Sequence, residues 1–264
     1  MKNEFNAMHQ VYWKCSGQHN KAYERLYSVL DGIAGGVKRS LASNYKAFAS
    51  ISSCRSNAAC LVSGRFDGDR SAFLNEIDTG RMNEFVFLDT MDATFINASS
   101  EHPCESFGAA FVASMHQYVL DSNPYGLKEQ DRYFMVLKEV GDGFEGVQSM
   151  STSTGIDAIY NGCNVTGLEQ RLHEYFKMCS QEVFGGKLIC CRIDNIDMLF
   201  SNGYQMLEAI RKYLSSPFVA VVATGDLNSH WTMELGESCP GGCDGYLNKV
   251  FPVQCRISLE EERR

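Results

Sequence analysis

Two apolar runs in the second half of the chain constrain the fold more than any other feature of the sequence. Residues 188–193 read LICCRI, and residues 218–223 read FVAVVA with no polar residue at all. Strands covered on both faces read as nearly continuous apolar runs, whereas a strand with one wet face alternates apolar and polar residues. The two runs therefore predict neighbouring strands of a buried parallel sheet.

Shorter apolar runs extend this pattern to a whole α/β domain. Further strands are predicted over 58–62, 84–88 and 250–257, with the strand over 58–62 at the centre of the sheet. Strands that alternate with helices of ten or more residues form right-handed βαβ units. Helices are predicted from Ser71 and over 103–119, 130–140, 168–184 and 204–214, with a mobile loop over 149–165.

The beginning of the chain has a different character. Residues 1–56 are predicted to form a helical segment packed on the core, and residues 57–264 the α/β domain. Gly35-Gly36 is expected to end the first helix. The apolar residues that recur at helical spacing are Tyr23, Leu26, Tyr27, Leu30 and Ile33.

Composition narrows the class of protein and its partners. The 264 residues are 44% hydrophobic and 21% charged, which is typical of a globular domain with a sizeable core. A net charge of −8 argues against nucleic acid as the main partner and against an anionic membrane. No run approaches the about 18 apolar residues of a membrane span, and the polar N-terminus does not resemble a signal peptide. The expected location is the cytoplasm, where eleven cysteines do not indicate a disulfide framework.

A glycine-rich loop lies between the strand over 58–62 and the helix that begins at Ser71. Residues 64–71 read GRFDGDRS, against the form GxxxxGK[ST] of a phosphate-binding loop. In such a loop the backbone N–H groups and the helix N-terminus hold the phosphates, the Lys reaches the terminal phosphates, and the hydroxyl ligates Mg²⁺. Ser71 is therefore a predicted metal ligand. The predicted nucleotide-binding residues are Gly64, Gly68, Asp69, Arg70 and Ser71.

Two residues depart from the phosphate-binding form. Asp69 stands where the loop normally has a glycine, and Arg70 stands where it has the Lys. A carboxylate a few ångströms from a phosphate costs on the order of a few kcal/mol at an effective dielectric constant of about 20. A planar guanidinium is not equivalent to a compact ammonium. The alternative interpretation is a glycine-rich turn with no ligand.

A second motif follows the run over 188–193. An apolar strand that ends in an acid has the form of a Walker B element, and Asp194 is predicted at the strand's carboxyl end, where it would help to position Mg²⁺. The next residue normally is the acid that activates water, but here it is Asn195, which cannot accept a proton. Asp194 and Asn195 are the predicted catalytic positions, and Asp197 is an acid two residues further on. Ser71 and Asp194 are predicted to lie close together at the carboxyl edge of adjacent strands, within reach of one hydrated Mg²⁺. The alternative is that Asp194 only caps a turn.

The end of the run over 218–223 supplies a third group of polar residues. Thr224, Asp226 and Asn228 are candidates to contact a terminal phosphate from this strand end. A simple turn is the alternative for all three residues.

Several segments resemble bacterial P-loop ATPases of the AAA/KAP type, many of which belong to anti-phage defence systems. Residues 89–94 (DTMDAT) are similar to their segment after the second strand, and residues 193–198 (IDNIDM) with 206–214 (MLEAIRKYL) to a later stretch. Residues 246–252 (YLNKVFP) resemble the segment before their fifth strand. The resemblance implies a parallel sheet in the order 5-1-4-3-2 with helices on both faces, and ATP and Mg²⁺ as cofactors.

Two functional hypotheses follow. The first is a degenerate P-loop domain that acts as a regulatory or interaction module, in a defence complex, with weak or no ATP hydrolysis and with a protein partner or self-association. The second is an active Mg²⁺-dependent ATPase that works in an oligomer. The departures at Asp69, Arg70 and Asn195 favour the first hypothesis and weigh against nucleotide binding. The helical lid that follows the fifth strand in the resembled ATPases is also expected to be absent.

The segment between Cys239 and Cys243 (CPGGC) allows one unrelated interpretation. With His230 and Cys255 the two cysteines could bind Zn²⁺, but no second pair has ligand spacing, and a Gly/Pro turn is the favoured alternative.

Overall fold

A computed structural model describes the chain over residues 20–43, 58–64, 67–93, 103–122, 131–150, 154, 156–197, 203–226 and 243–260. The strands are β1 (Ala59–Ser63), β2 (Phe85–Phe87), β3 (Met91–Asp92), β4 (Leu188–Asp194), β5 (Val219–Thr224) and β6 (Arg256–Ser258). The helices are α1 (Asn20–Ser43), α2 (Asp67–Asn75), α3 (Pro103–Ser122), α4 (Asp131–Met150), α5 (Ile156–Met178), α6 (Gly203–Tyr213) and α7 (Cys243–Val250).

The strands form one six-stranded sheet, which makes the fold α/β as predicted. The order is β2-β4-β5-β1-β6, and β3 pairs with β4 beyond the end of β2. Each of the pairings between these strands is parallel, including that of β4 with β5, where Cys191 lies opposite Val221. All residues of β5 are buried, and so are six of the seven in β4. The prediction of neighbouring, buried, parallel strands from the two apolar runs is confirmed.

Two predictions about the sheet are wrong in detail. The strand over 58–62, which is β1, was predicted at the centre of the sheet. The middle strand is instead β5, and β1 lies between β5 and β6. The predicted strand over 250–257 shrinks to Arg256–Ser258, because Val250 ends α7 and Pro252 follows two residues later. Val250 and Phe251 are buried, so this apolar run serves a helix end rather than a strand. Short apolar runs do not distinguish the two structures.

The predicted mobile loop over 149–165 is largely helix. α4 extends to Met150, and α5 begins at Ile156. At the other end of α5, a π-helical turn over Cys179–Val183 continues the helix. α4 and α5 pack closely at Gly143, where an added Cβ atom would lie 2.8 Å from Leu168 Cδ1. The polar, glycine-containing start of α5 misled the prediction, since packing along the rest of a helix overrides weak local propensity.

α1 passes through Gly35-Gly36 and ends only at Ser43, so the predicted break there is wrong. Ala34 and Val37 are buried on either side of the two glycines, and this burial carries the helix past them. Near its start α1 packs on α2: the Tyr23 ring stacks on Phe73 with centroids 4.2 Å apart. The helix thus contributes to the core, while residues 1–19 and 44–57 lie outside the described residues.

Three helices are joined by a buried chain of hydrogen bonds. His116 Nδ1 on α3 lies 2.8 Å from the Tyr133 hydroxyl on α4, which lies 2.9 Å from the Tyr175 hydroxyl on α5. Burial raises the pKa of both tyrosines and lowers the pKa of His116. His116, Tyr133 and Tyr175 are therefore neutral in this series of hydrogen bonds. Among the described residues, no helix is both long and apolar enough to span a membrane.

Glycines in α1 predict a gain of stability on substitution. An added Cβ atom at Gly32 or Gly36 would meet no atom within 4 Å, so Gly36→Ala should raise the free energy of unfolding by about 1 kcal/mol. Thermal unfolding should show a melting temperature higher by roughly 2–4 °C. Gly108→Ala is the matched control, because its Cβ atom would lie 2.9 Å from the Phe144 ring, and it should destabilise the protein. Equal effects at the two positions would contradict this account.

The lowered pKa of His116 predicts a pH dependence. The unfolded chain, with an ordinary pKa of about 6.5, binds the proton more readily, so the free energy of unfolding should fall as the pH decreases through that value. His116→Gln removes this titration and retains a polar partner for Tyr133. Urea unfolding at about pH 7.5 and at about pH 5 should show a smaller loss in the variant than in the wild type. Identical losses would show that His116 is not the responsible group.

Candidate functional site

The carboxyl ends of β1, β5 and β4 meet at one edge of the sheet, because the three strands are parallel. This edge is where ligands bind in open α/β sheets. β1 leads into α2 through Gly64, β4 ends at Asp194, and β5 ends at Thr224. The sheet therefore brings together motifs that are separated by more than 100 residues in the sequence.

Asp194 is the hub of this edge. Its Oδ2 atom accepts a hydrogen bond of 2.5 Å from Ser71 Oγ, and its Oδ1 atom accepts one from the Thr224 hydroxyl. The Asn195 N–H donates to the same Oδ1 atom over 3.0 Å. Asp194 is only 7% exposed, so three donors stabilise a buried carboxylate. Ser71 and Asp194 lie close together, as predicted. The two strands that lead to them, β1 and β4, were expected to be neighbours, but β5 lies between them.

Asn195 directly after β4 has an unusual backbone. Its φ of 58° lies in the left-handed region, which Asn adopts more readily than most residues. Its N–H lies 3.2 Å from Thr224 Oγ1 in addition to its contact with Asp194. The side-chain Oδ1 atom is buried without a hydrogen-bond partner. Asn195, at the predicted position of a catalytic acid, thus has an amide side chain and lies on a turn that is held by hydrogen bonds to Asp194 and Thr224.

Arg70 is turned into the protein rather than towards solvent. The residue is 1% exposed, and its Nη1 atom donates to the Gly64 carbonyl over 3.3 Å and to Asp197 Oδ2 over 2.9 Å. Asp197 Oδ2 also accepts the Asp226 N–H over 2.9 Å. The guanidinium predicted to contact a nucleotide is therefore engaged in an ion pair within the chain.

α2 begins inside the predicted phosphate-binding motif. α2 begins at Asp67, so that Gly68 and Asp69 belong to its first turn, and only residues 65 and 66, outside the described part, separate it from Gly64. A helix N-terminus stabilises an anion, whether a bound phosphate or a side chain of the protein. Asp69 places the chain's own carboxylate at this position.

Two residues with structural roles at this edge were missed by the sequence analysis. Gly225 allows β5 to approach the turn after β4, since an added Cβ atom would lie 2.9 Å from Ile196 Cγ1. Arg192 Nε and Nη2 donate to the Leu88 carbonyl over 3.0 and 2.9 Å, and Nη1 donates to the Leu74 carbonyl over 3.2 Å. The sequence signal for Arg192 was its position inside the apolar run over 188–193. A partly buried guanidinium there needs hydrogen-bond acceptors.

Other predicted residues are not brought to the site. Asn228, a predicted phosphate contact, and His230 and Cys239, of the alternative zinc site, lie outside the described residues. Cys243 is the first residue of α7, and Cys255 is a buried free thiol.

The residues fit one half of a Mg²⁺–nucleotide site and not the other. The Ser71 hydroxyl and Asp194 carboxylate are hard oxygen donors, which Mg²⁺ prefers, and they lie in contact with each other. The phosphate half does not fit, because Arg70 is paired with Asp197 and Asp69 occupies the first turn of α2. Ser71 and Asp194 could therefore hold a cation, whereas Arg70 is not available to a phosphate.

No protein-family model matches the chain, and no curated protein matches it in sequence. The assignment of a function consequently depends on the geometry of this edge of the sheet.

The buried ion pair predicts a large effect of its removal. Arg70→Leu takes the cation from beside Asp197, whose side chain is 13% exposed, and should lower the free energy of unfolding by about 3–5 kcal/mol. Arg132→Leu is the matched control, because the Arg132–Glu182 pair has a similar distance of 2.8 Å but is exposed. The control should cost less than about 1 kcal/mol. Similar losses in urea unfolding would show that burial does not decide the effect.

Proposed function

We propose that this chain is a degenerate P-loop-type domain that acts as a regulatory or interaction module, with weak or no ATP hydrolysis. The carrying observation is the buried ion pair between Arg70 and Asp197. Arg70 is the residue that would replace the phosphate-binding Lys, and its charge is already neutralised within the chain. A nucleotide would have to displace Asp197 before Arg70 could contact a phosphate.

The strand order supports the P-loop part of the proposal. Counted without the two-residue β3, the order β2-β4-β5-β1-β6 reads 2-3-4-1-5, which is the order implied by the resemblance when taken from the other edge. The glycine-containing turn after β1 and the acid at the end of β4 then occupy the positions of the two nucleotide-handling motifs. Because one fold hosts many functions, this correspondence supports the fold type and not an activity.

The chemistry at the end of β4 supports the absence of efficient hydrolysis. Asn195 cannot accept a proton from water at neutral pH, and loss of a general base typically lowers the rate by about 10²–10⁴. Asp197 is the next acid after Asn195 along the chain, but its Oδ2 atom accepts hydrogen bonds from Arg70 and from the Asp226 N–H. Neither residue is therefore placed to activate water.

An interaction role also agrees with the surface of α4. Phe134 and Met135 are consecutive and are 46% and 56% exposed, which is unusual for two large apolar side chains side by side. We propose a protein partner or self-association, in the cytoplasm and within an anti-phage defence complex. Nucleic acid is not the expected main partner of a chain with a net charge of −8.

The second candidate, an active Mg²⁺-dependent ATPase in an oligomer, is favoured by one observation. Ser71, Asp194 and Thr224 retain the oxygen-rich cluster in which a metal-bound nucleotide would be coordinated. This candidate requires the Arg70–Asp197 pair to open and a neighbouring subunit to supply the acid that Asn195 replaces.

Calorimetric titration with ATP and Mg²⁺, together with a phosphate-release assay, tests the proposal. The wild type should bind ATP weakly, if at all, and release phosphate no faster than background. Asp69→Gly and Arg70→Lys combined with Asp197→Ala should raise ATP affinity measurably, because the loop loses a carboxylate and regains a compact cation that is no longer paired with Asp197. Turnover should appear only when Asn195→Glu is added to these three changes, and further adding Ser71→Ala should abolish it as a control.

Two results would contradict the proposal. Micromolar ATP binding with steady turnover by the wild type would establish the ATPase instead. Absence of any gain in ATP affinity in the Asp69→Gly, Arg70→Lys, Asp197→Ala variant, with its folding verified by circular dichroism, would argue against a P-loop origin of the loop.

A further inference from the structure

Asp197 is held in the way that a protein holds a bound anion. Its Oδ2 atom receives a guanidinium N–H from Arg70 and a backbone N–H from Asp226, each over 2.9 Å. A charged donor and a main-chain donor converging on one oxygen are typical of a phosphate or carboxylate site. The side chain is 13% exposed and lies close to the protein surface.

The donors come from the elements that would surround a phosphate in a P-loop domain. Arg70 stands in the first turn of α2 at the Lys position of the motif, and Asp226 follows the end of β5. Gly225 permits this approach, since an added Cβ atom would lie 3.5 Å from Asp197 Oδ1 and 2.9 Å from Ile196 Cγ1. The anion held at this point is the chain's own carboxylate.

We propose that the Asp197 carboxylate is an internal anion that occupies the position of a phosphate group, so that a phosphate enters only when the Arg70–Asp197 pair opens. The ligand class is a phosphate oxyanion, either free or as part of a nucleotide. This inference rests on the proposed function, because it assumes that the loop between β1 and α2 has the P-loop arrangement. It adds a regulatory device to the domain: an autoinhibitory contact within the site itself.

The expected strength of the block follows from the populations of the closed and open pair. A ligand that binds only the open state has an apparent dissociation constant equal to the intrinsic one divided by the open fraction. If the pair is open about 1% of the time, apparent affinity falls about 100-fold. Removing the carboxylate should therefore increase oxyanion affinity by at least about tenfold.

Inorganic pyrophosphate is the probe, and the full chain is used throughout. Isothermal titration compares the wild type, Asp197→Ala, and the double variant Arg70→Leu/Asp197→Ala. We expect Asp197→Ala to bind pyrophosphate at least about tenfold more tightly than the wild type, and the double variant to lose this gain because the guanidinium is absent. Glu182→Ala is the control, since it removes an acid of similar geometry from the exposed pair with Arg132 and should leave affinity unchanged. Equal affinity in the wild type and Asp197→Ala would overturn the inference.

A second measurement covers the case in which Asp197→Ala does not fold alone. Refolding is then followed by circular dichroism in pyrophosphate and in acetate at equal ionic strength. Refolding in pyrophosphate but not in acetate supports a phosphate position. Rescue by acetate alone, equal rescue by both anions, or rescue by neither overturns it, because the position would then be only a carboxylate or structural site.

The wild-type titration with ATP distinguishes failure of the proposed function from failure of the internal-anion inference. Micromolar ATP binding with turnover by the wild type would overturn the proposed function. A wild type that binds no ATP, together with an Asp197→Ala variant that gains no pyrophosphate affinity, would overturn the internal-anion inference alone.

Discussion

A guanidinium that is 1% exposed imposes a requirement on everything around it: an anion must lie beside it. In this chain the anion is Asp197, and meeting the requirement determines the geometry of three elements. Arg70 anchors the first turn of α2, the turn after β4 brings Asp197 towards it, and the Asp226 N–H fixes the end of β5 against the same carboxylate. The pair therefore fastens the carboxyl edge of the sheet.

Much of this architecture could be predicted because its signal is local. The runs over 188–193 and 218–223 indicated buried parallel strands, and parallel strands necessarily place their following residues at a common edge. That reasoning also led to the proximity of Ser71 and Asp194. The centre of the sheet, by contrast, depends on how many strands lie on each side of β1, and this property is not encoded in any single run.

The errors arose where local propensity and long-range packing disagree. Gly35-Gly36 and the polar start of α5 are unfavourable in isolated helices, yet both lie within helices whose other residues pack. Val250 and Phe251 are apolar enough for a strand but are used at the end of a helix. The partner of Arg70 was equally hidden, because Asp197 lies 127 positions away and only the folded sheet makes the two neighbours.

The retained cluster of Ser71, Asp194 and Thr224 has a structural explanation that is independent of nucleotides. Asp194 accepts the Ser71 and Thr224 hydroxyls and the Asn195 N–H, and so it joins α2, β4 and β5 at one buried point. A domain that no longer binds a metal-bound nucleotide would still lose stability if these residues changed, because each would leave a buried polar group without its partner. Retention of the metal-type donors is thus expected under both functional hypotheses. The residues that distinguish the two hypotheses are Arg70 and Asp197, because an active ATPase would need their pair to open and a degenerate domain would keep it closed.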